Sequence, residues 1–464
     1  NSENLSVGLG PNAVLMSSNY GSIMGRGSDE FIDVDDLSSP STFFRRKVTR
    51  SQMLLIGGLM MLFAFFSAAG YSSSVSAIQG ILERKRQEVL GLKGTESGGT
   101  KKPNIIIYLI DDQGYADMGY QSTDFKDLTP ALDAAAAEGI KLNKYYTEYV
   151  CTPARAALMT GKLPLQTGMQ ESVPDMAEPW GVPTEHKFLP QYLKEEGYAT
   201  HMIGKWHLGF AAEALTPLAR GFESFLGMFY GKGYYYQHDM PYGQPGAGGH
   251  FYDFHRDGAA MPEAVGVYST ELYEARLEEL LAEHAEGDGR PLFLYYAQQL
   301  VHSPLQEPPD GLLSEEELAR VEAAVEGGED RRTLAKMAVA ADKSFRHLLD
   351  QLKAHGLYED SYVIVASDNG GCTFAAGQNY PLRGEKNTVF EGGVRVNAFV
   401  HSPLLPEKAR GAGYDGLFHV ADWLPTILLG MVGVDRGQVF ADEEGEDGFQ
   451  WASYDQWDAL LAAG

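Results

Sequence analysis

The sequence predicts an α/β fold in which a large mixed, mainly parallel sheet is sandwiched by helices. The first observation is Asn104–Ile110, an unbroken apolar run of the kind found in strands that are buried on both faces. The second is the alternation of strand-like and helix-like segments from Pro103 onward. The chain has 464 residues, of which 44% are hydrophobic, so it can bury a core large enough for such a sheet.

The first predicted helix, residues 130–138, follows this strand and has clear boundary signals. Thr129 is a candidate N-cap, Pro130 suits the first helical position, and Gly139 follows the last helical residue. Residues 140–146 then alternate between apolar and polar side chains, which predicts a strand.

A second helix shows the same kind of start. Thr152 and Pro153 repeat the cap-and-proline pattern, and Gly161 ends the segment. This interpretation places Cys151 one residue before the N-cap, and Arg155 within the first turn.

The remaining elements continue the alternation through residue 400. Strands are predicted at residues 198–203, 291–297, 362–367 and 396–400. Helices are predicted between them at residues 188–196, 314–325 and 331–355. The middle one begins with a capping box formed by Ser314 and Glu317.

The N-terminal part divides into three segments. Residues 1–52 are predicted to be a disordered cytoplasmic tail, residues 53–71 a transmembrane signal anchor, and residues 72–102 a stalk or linker before a catalytic domain at 103–464. Residues 53–71 carry no charge and have the length needed to cross a membrane. The basic residues that precede this run predict a cytoplasmic N-terminus, hence a single-pass type II protein: Arg45, Arg46, Lys47 and Arg50.

Two other interpretations of this apolar run stay open. A signal peptide cleaved after Val75-Ser76-Ala77 would release a secreted protein, although about 50 residues precede the run, which is far longer than a usual n-region. A buried core helix would leave the flanking basic cluster unexplained.

Charge and cysteine content exclude several classes of protein. The formal charge is −26, which repels polyanions at long range and argues against a nucleic-acid partner. The chain has only two cysteines, Cys151 and Cys372, which excludes a disulfide scaffold and a multi-cysteine zinc site.

Polar side chains follow two of the predicted strands directly. Asp111 and Asp112 come after the first strand, and Asp368 and Asn369 come after strand 362–367. Because ligands bind at the carboxyl ends of strands in such sheets, these oxygens predict a site for Ca²⁺, or for Mg²⁺, rather than for zinc. Taken separately, each pair could also be an ordinary turn.

A third feature lies at the start of the second helix. Residues 150–161 read VCTPARAALMTG, so Cys151 and Arg155 are next to a helix N-terminus, where an anion is favoured. A lone cysteine is more often a small buried apolar residue. The combined pattern Cys-x-Pro-x-Arg followed by x-x-Leu-x-Thr-Gly is a much more specific signal of function than a lone cysteine.

This segment resembles the signature of the type I sulfatases, in which the cysteine is oxidised to formylglycine. The resemblance extends from Pro103 to about Gly448. It includes further motifs at residues 104–115 (NIIIYLIDDQGY), 204–209 (GKWHLG), 301–304 (VHSP), 367–371 (SDNGG), 382–386 (LRGEK) and 391–395 (EGGVR). It implies an alkaline phosphatase-like fold, with the family's small C-terminal subdomain missing or truncated because the sequence stops at Gly464.

Within this family the chain is most similar to the arylsulfatase B branch, which acts on N-acetylgalactosamine 4-sulfate. Residues 293–302 (FLYYAQQLVH) and 419–426 (HVADWLPT) carry that similarity. The implied partners are a sulfated small molecule or glycan as substrate, and the formylglycine-generating enzyme during maturation.

The resemblance also implies roles for individual residues. Cys151, as a hydrated formylglycine diol, would be the nucleophile, with Asp368 as its base. Arg155 and Lys205 would orient the diol. The Ca²⁺ ligands would be Asp111, Asp112, Asp368, Asn369 and the modified Cys151.

Three further residues would act on the sulfate. His302 and Lys386 would bind it and help to protonate the departing oxygen. His207 would deprotonate the second hydroxyl of the diol, which releases the sulfate. Fixed cations around the oxygens and an acid at the leaving group are what hydrolysis of a sulfate ester requires.

Two rival functions stay open. Some relatives with the formylglycine motif hydrolyse phosphonates or phosphate diesters, so such a hydrolase is one alternative. The other is a catalytically silent, membrane-tethered glycan-binding protein, in which Cys151 would stay a thiol. The Tyr/Gly-rich stretch 230–255 is predicted to be a loop near the pocket, and its aromatic rings could stack on a sugar or pack together.

Overall fold

A ten-stranded sheet is the centre of the part of the chain that the computed structural model describes, which is residues 101–176, 178–241, 248–287, 289–439 and 452–464. The predicted tail and signal anchor, and the stalk up to residue 100, lie outside the described residues. Among the helices described, none combines the length and the apolar character needed to cross a membrane.

Fourteen strands are described, and ten of them belong to the main sheet. In chain order they are β1 Asn104–Ile110, β2 Ile140–Leu142, β3 Tyr145–Tyr146, β4 Ala199–Lys205, β5 Ser224–Met228, β6 Asp239–Pro241, β7 His250–Tyr252, β8 His255–Arg256, β9 Ala259–Ala260, β10 Leu292–Ala297, β11 Ser361–Ser367, β12 Ala398–His401, β13 Gly413–Tyr414 and β14 Phe418–His419.

The strand order of the main sheet is β13-β2-β12-β11-β1-β10-β4-β5-β8-β9. The five central strands from β11 to β5 are parallel, whereas β12 and β8 run antiparallel to their central neighbours. Strands β3 and β14 form one small additional sheet, and β6 and β7 form another. The predicted mixed, mainly parallel sheet is therefore confirmed.

Helices cover both faces of the sheet. They are α1 Pro130–Glu138, α2 Cys151–Thr160, α3 Pro164–Thr167, α4 Leu189–Glu195, α5 Ser269–Ala285, α6 Glu315–Ala324, α7 Glu329–Ala354, α8 Glu391–Val394, α9 Trp423–Pro425, which continues as a π-helix over Thr426–Val432, α10 Arg436–Val439 and α11 Trp457–Leu461.

The side chains of β1 alternate between the two layers of core. Ile107 packs in a cluster with residues of α2 and α4, whereas Tyr108 packs in a cluster with residues of α1, α5 and α7. The Tyr108 hydroxyl also donates a 2.8 Å hydrogen bond to the Ala341 carbonyl of α7. A strand that is apolar on both faces is thus required at the centre of the sheet.

The predicted N-cap of α2 is wrong, whereas the predicted N-cap position of α1 is confirmed. Helix α2 begins at Cys151, with Val150 as its N-cap. The Thr152 hydroxyl does not cap the helix but donates to the His207 carbonyl at 2.8 Å. At α1 Thr129 is the N-cap and Pro130 the first helical residue, as predicted, but the Thr129 hydroxyl accepts from the Gly119 amide at 2.8 Å and makes no side-chain cap bond.

Candidate active site

The parallel strands bring the predicted cation ligands to one edge of the sheet. Ile110 and Ser367 are paired in register, so Asp111 and Asp368 follow neighbouring strands at the same level. The Asp112 amide donates to Asp368 Oδ1 at 3.1 Å, which joins the two turns. All of these side chains lie at the carboxyl ends of the strands, where open α/β sheets bind ligands.

Cys151 brings the N-terminus of α2 to this edge. Its Sγ atom lies 3.7 Å from Asp111 Oδ1, 4.0 Å from Asp112 Oδ1 and 3.3 Å from Lys205 Nζ. The residue is buried with 1% exposure. A cationic amine and a helix N-terminus both stabilise negative charge that develops at this side chain.

Arg155, one turn into α2, is held by carboxylates. Its Nη2 atom lies 2.8 Å from Asp368 Oδ2 and 3.3 Å from Asp111 Oδ1, and its Nη1 donates to the Lys205 carbonyl at 3.0 Å. Burial alone would lower the pKa of Arg155, but the charges of Asp368 and Asp111 outweigh it and raise that pKa. The guanidinium is therefore a permanent, oriented cation.

The two carboxylates beside Arg155 have opposite pKa shifts. Burial raises the pKa of Asp111 although Lys205 Nζ lies 2.7 Å away, and the charge of Asp368 raises it further. For Asp368 burial acts in the same direction, but Arg155 and Lys205 outweigh it and hold its pKa well below the usual range. Asp368 is therefore ionised at all ordinary pH values.

Lys386 and His302 form a second group beside Asp112. Lys386 Nζ lies 2.7 Å from an Asp112 carboxylate oxygen and 3.0 Å from His302 Nε2. Burial alone would raise the pKa of Asp112, but the charges of His302 and Lys386 lower it. The Asp112 carboxylate in turn raises the pKa of Lys386 against the effect of burial.

The hydrogen bonds of His302 show which of its ring nitrogens faces Lys386 as an acceptor. His302 Nδ1 lies 2.5 Å from the Ser303 carbonyl, which can only accept, so Nδ1 carries the proton. Nε2 then accepts from the Lys386 ammonium. The pair therefore presents one cationic donor, Lys386, whose ammonium is hydrogen-bonded to the His302 ring.

His207 lies beside these cations but is joined to them by no hydrogen bond of its ring. Both of its ring nitrogens are buried and have no hydrogen-bond partner among the described residues. Burial and the charges of Lys205 and Arg155 hold its pKa well below the usual range, so the ring is neutral. Its backbone has a positive φ of 56°, which is uncommon outside functional sites and turns.

The side-chain oxygen of Asn369 indicates whether these residues fit a cation. Asn369 Nδ2 donates to Asp112 Oδ1 at 2.8 Å and to the Gly370 carbonyl at 3.0 Å, which aims the amide. Its Oδ1 is buried and has no hydrogen-bond partner in the described part of the chain. Such an atom needs a donor or a metal ion, so the residues fit a cation with oxygen ligands.

A second observation concerns the donor atoms themselves. One atom each of Asp111, Asp112, Cys151 and His302 lies within 4.8 Å of the other three. Carboxylate oxygens suit Ca²⁺ or Mg²⁺, whereas a thiolate and an imidazole would add ligands that zinc prefers. His302 was not among the predicted cation ligands, and the structure places it beside them.

Two aromatic residues of the predicted loop 230–255 contact residues of the site. The Tyr235 hydroxyl donates to the His302 carbonyl at 2.8 Å, and its ring stacks on Tyr268 with centroids 5.0 Å apart. The Tyr230 ring contacts His207 edge-on, with centroids 5.8 Å apart. Of the two open interpretations, packing holds for these rings. The Tyr/Gly composition signalled the loop but not these contacts.

The matching family model and two curated relatives of this chain are sulfatases by name. Residues 103–434 match the family model described as Sulfatase. Mouse (Mus musculus) arylsulfatase J is 41% identical over 365 residues, which cover 78% of this chain and 56% of that protein. Human (Homo sapiens) N-acetylgalactosamine-6-sulfatase is 29% identical over 339 residues, which cover 66% of this chain and 58% of that protein. The chain thus spans less than two thirds of the length of these relatives.

Solved structures extend the comparison to the fold. The crystal structure of Ps i-CgsB aligns with a TM-score of 0.67 at 29% identity, over 78% of this chain and 77% of that one. The same protein in complex with k-i-k-neocarrahexaose aligns with a TM-score of 0.66 at 28% identity, over the same shares of the two chains.

Proposed function

This chain belongs to the sulfatase family, and from that premise we propose that it hydrolyses sulfate esters of sugars or polysaccharides at the site around Cys151. The observation that carries the proposal is the contact of Cys151 Sγ with Lys205 Nζ at 3.3 Å, next to two carboxylates at the carboxyl edge of the sheet. A reactive group at this position faces cations fixed in advance, which is the main means of stabilising charge in a transition state.

We propose that Cys151 is converted to formylglycine, which supplies a hydrated aldehyde as the nucleophile. Lys205 and Arg155 then hold the charge that develops at residue 151, because Lys205 contacts its side chain and Arg155 orients the neighbouring carboxylates. Asp368 stays ionised and can accept the proton of the nucleophile, although its ion pair with Arg155 makes it a weak base.

Lys386 is the candidate donor to the departing oxygen. It keeps its charge because Asp112 raises its pKa, and His302 Nε2 accepts from the same ammonium. His207, whose neutral ring has no hydrogen-bond partner among the described residues, is the candidate base for the release of sulfate.

A divalent cation completes the charge balance of the proposed site. Three carboxylates face the basic side chains of Arg155, Lys205 and Lys386, so these groups alone leave no excess positive charge for an anion. We propose Ca²⁺, with Mg²⁺ as the alternative, held by Asp111, Asp112, Asp368, Asn369 and the modified Cys151. When bound, the ion supplies positive charge to the sulfate oxygens.

The proposed substrate is a sulfated sugar, with N-acetylgalactosamine 4-sulfate as the specific candidate from the arylsulfatase B resemblance. A relative named N-acetylgalactosamine-6-sulfatase and a solved relative in complex with a neocarrahexaose support the broader class of sulfated glycans. The branch itself rests on residues 293–302 and 419–426.

We propose a type II membrane location, with the catalytic domain in the secretory-pathway lumen or outside the cell. The support is the uncharged run at residues 53–71 and the basic residues before it. Secretion after signal cleavage is the alternative. In either compartment the formylglycine-generating enzyme would be the maturation partner.

Relative turnover of two chromogenic esters tests the proposal. We expect the full chain, produced in a host that makes formylglycine, to cleave p-nitrophenyl sulfate with a higher kcat/KM than bis(p-nitrophenyl) phosphate. Cys151→Ala should abolish both activities. A strong preference for the phosphodiester would replace the proposed function by the diesterase alternative. Binding of sulfated glycans without turnover would favour the silent binding protein.

A further inference from the structure

Two loops carry the proposed cation ligands, and the buried carboxylate of Asp117 joins them. The loop after β1 contains Asp111 and Asp112, and the loop after β11 contains Asp368 and Asn369. Asp117 Oδ2 accepts from the Gly114 amide of its own loop and from the Gln378 amide of the other, both at 3.0 Å. Asp117 has no solvent exposure.

The guanidinium of Arg331, in the first turn of α7, completes this junction. Its Nη1 donates to Asp117 Oδ1 at 2.5 Å and to the Ala376 carbonyl at 3.0 Å, so it bonds to both loops. Its other nitrogens form a two-pronged contact with Asp124, at 2.9 and 3.0 Å. Its guanidinium carbon lies 3.8 Å from the centre of the Phe125 ring. Each of these contacts restricts the guanidinium to one orientation.

The two loops are packed so closely that a small displacement of either would move the other. A Cβ atom on Gly371 would lie 2.8 Å from Gly114 Cα, which leaves no space for a side chain. Asn379 accepts from the Gly371 amide at 2.8 Å and from the Tyr115 amide at 3.4 Å. The junction therefore constrains the relative position of the segments that begin with Asp111 and Asp368.

We propose that Arg331 and Asp117 are a positioning pair that sets the spacing between the two groups of cation ligands. This inference rests on the proposed function, because it concerns the cation of that site. The described contacts of Arg331 are all to the two loops and their neighbours, and none is to the ten predicted site residues. Residues that orient ligands without touching the ion typically change metal affinity by 10–100-fold.

Calcium affinity of the full chain separates positioning from a merely structural role. We compare the wild type with Arg331→Met, which removes every hydrogen bond of the guanidinium, and Arg331→Lys, which keeps the charge and can reach only some of the acceptors. Arg332→Met is the matched control, because Arg332 follows in the same helix and bonds to the Gly327 carbonyl and to Glu322. The readouts are isothermal titration with CaCl₂ and the rise in Tm on adding CaCl₂.

The proposal predicts that the Kd for Ca²⁺ rises about 10–100-fold in Arg331→Met, by a smaller factor in Arg331→Lys, and less than about twofold in Arg332→Met. If Arg331→Met does not fold, Arg331→Lys decides. Unchanged Ca²⁺ affinity in a folded Arg331 variant would overturn the positioning role and leave the cation site intact. A wild-type chain that binds no Ca²⁺ would overturn the cation site itself, and this inference with it.

Discussion

Lys386 is a residue in which charge, burial and hydrogen bonding coincide. It is nearly buried, it pairs with Asp112 at 2.7 Å, and it donates to His302 Nε2 at 3.0 Å. Its position within the LRGEK motif predicted a role in binding sulfate, but the sequence did not reveal which groups it contacts. The partner residues lie in the loops that follow β1 and β10, and their approach depends on the register of the sheet.

Lys386→Met should lower kcat/KM for p-nitrophenyl sulfate by about 10²–10³-fold, because it removes a fixed cationic donor from the site. The kcat/KM of the purified variants is measured from the release of p-nitrophenol, and circular dichroism shows whether each variant is folded. Lys126→Met, at an exposed lysine, is the control and should stay within about twofold of the wild type. Activity of Lys386→Met within about threefold of the wild type would contradict the assignment.

Gly231 shows how a residue without a side chain can define a site. A Cβ atom there would lie 2.2 Å from His207 Cε1 and 2.4 Å from Nε2, so the ring fills the space above the glycine. The sequence marked a Tyr/Gly-rich loop but could not show which glycine the imidazole contacts.

Gly231→Ala should push the His207 ring aside and lower kcat by about 10²-fold, the usual effect of displacing a catalytic group by about 1 Å. Gly233→Ala is a close control, since its nearest neighbour would be Met228 Cε at an ordinary 3.6 Å. Steady-state kinetics and thermal unfolding should be measured for both variants. Equal kcat in the two variants would show that His207 tolerates the added methyl group.

At the scale of single elements, the sequence predicted regular segments well and their ends less well. Strand Asn104–Ile110 has the bounds predicted from its apolar run. Strand Ser224–Met228 and helix Ser269–Ala285 were not predicted. The strand is short and contains a glycine, and the helix has a tyrosine rather than a capping residue before it. Both are stabilised by contacts with distant parts of the chain.

The start of α1 shows the same dependence on tertiary contacts. The carboxylate of Asp342, from α7, accepts from the Ala131 amide at 3.1 Å and from the Leu132 amide at 2.7 Å. This distant residue does what Thr129 was predicted to do. Asp342 and Ala131 lie 211 positions apart in the sequence, so no local sequence pattern could indicate this contact.

Asp342→Ala should lower the free energy of unfolding by about 1–2 kcal/mol, because two backbone N–H groups at a helix start lose their acceptor. Urea unfolding of the full chain gives the value. Asp350→Ala, an exposed residue of the same helix, should change it by less than about 0.5 kcal/mol. Equal values for the two variants would contradict the capping role.

For the whole molecule, the balance between net charge and local charge decides which substrates are favoured. The chain carries a formal charge of −26, whereas its site holds three basic side chains in contact with three carboxylates. Composition alone argued against anionic partners. The motifs, once brought together by the parallel strands, predict a site that becomes cationic when the proposed divalent ion is bound, which composition could not reveal.

The acidic body should slow the approach of polyanions at low ionic strength. We expect kcat/KM for a polysulfated oligosaccharide to rise as NaCl increases from about 0.01 to 0.15 M, because the Debye length falls from about 30 to 8 Å. The singly charged p-nitrophenyl sulfate should show a smaller rise. A fall with added salt would show that the field of the site, not that of the body, governs association.

The chemical state of Cys151 tests the central claim most directly. Mass spectrometry of the peptide that contains Cys151, from protein made in its native host, distinguishes an aldehyde from a thiol. We predict formylglycine at position 151 and an unmodified thiol at Cys372. A thiol at Cys151 in protein that nevertheless hydrolyses sulfate esters, or in protein that hydrolyses none, would contradict the proposed mechanism.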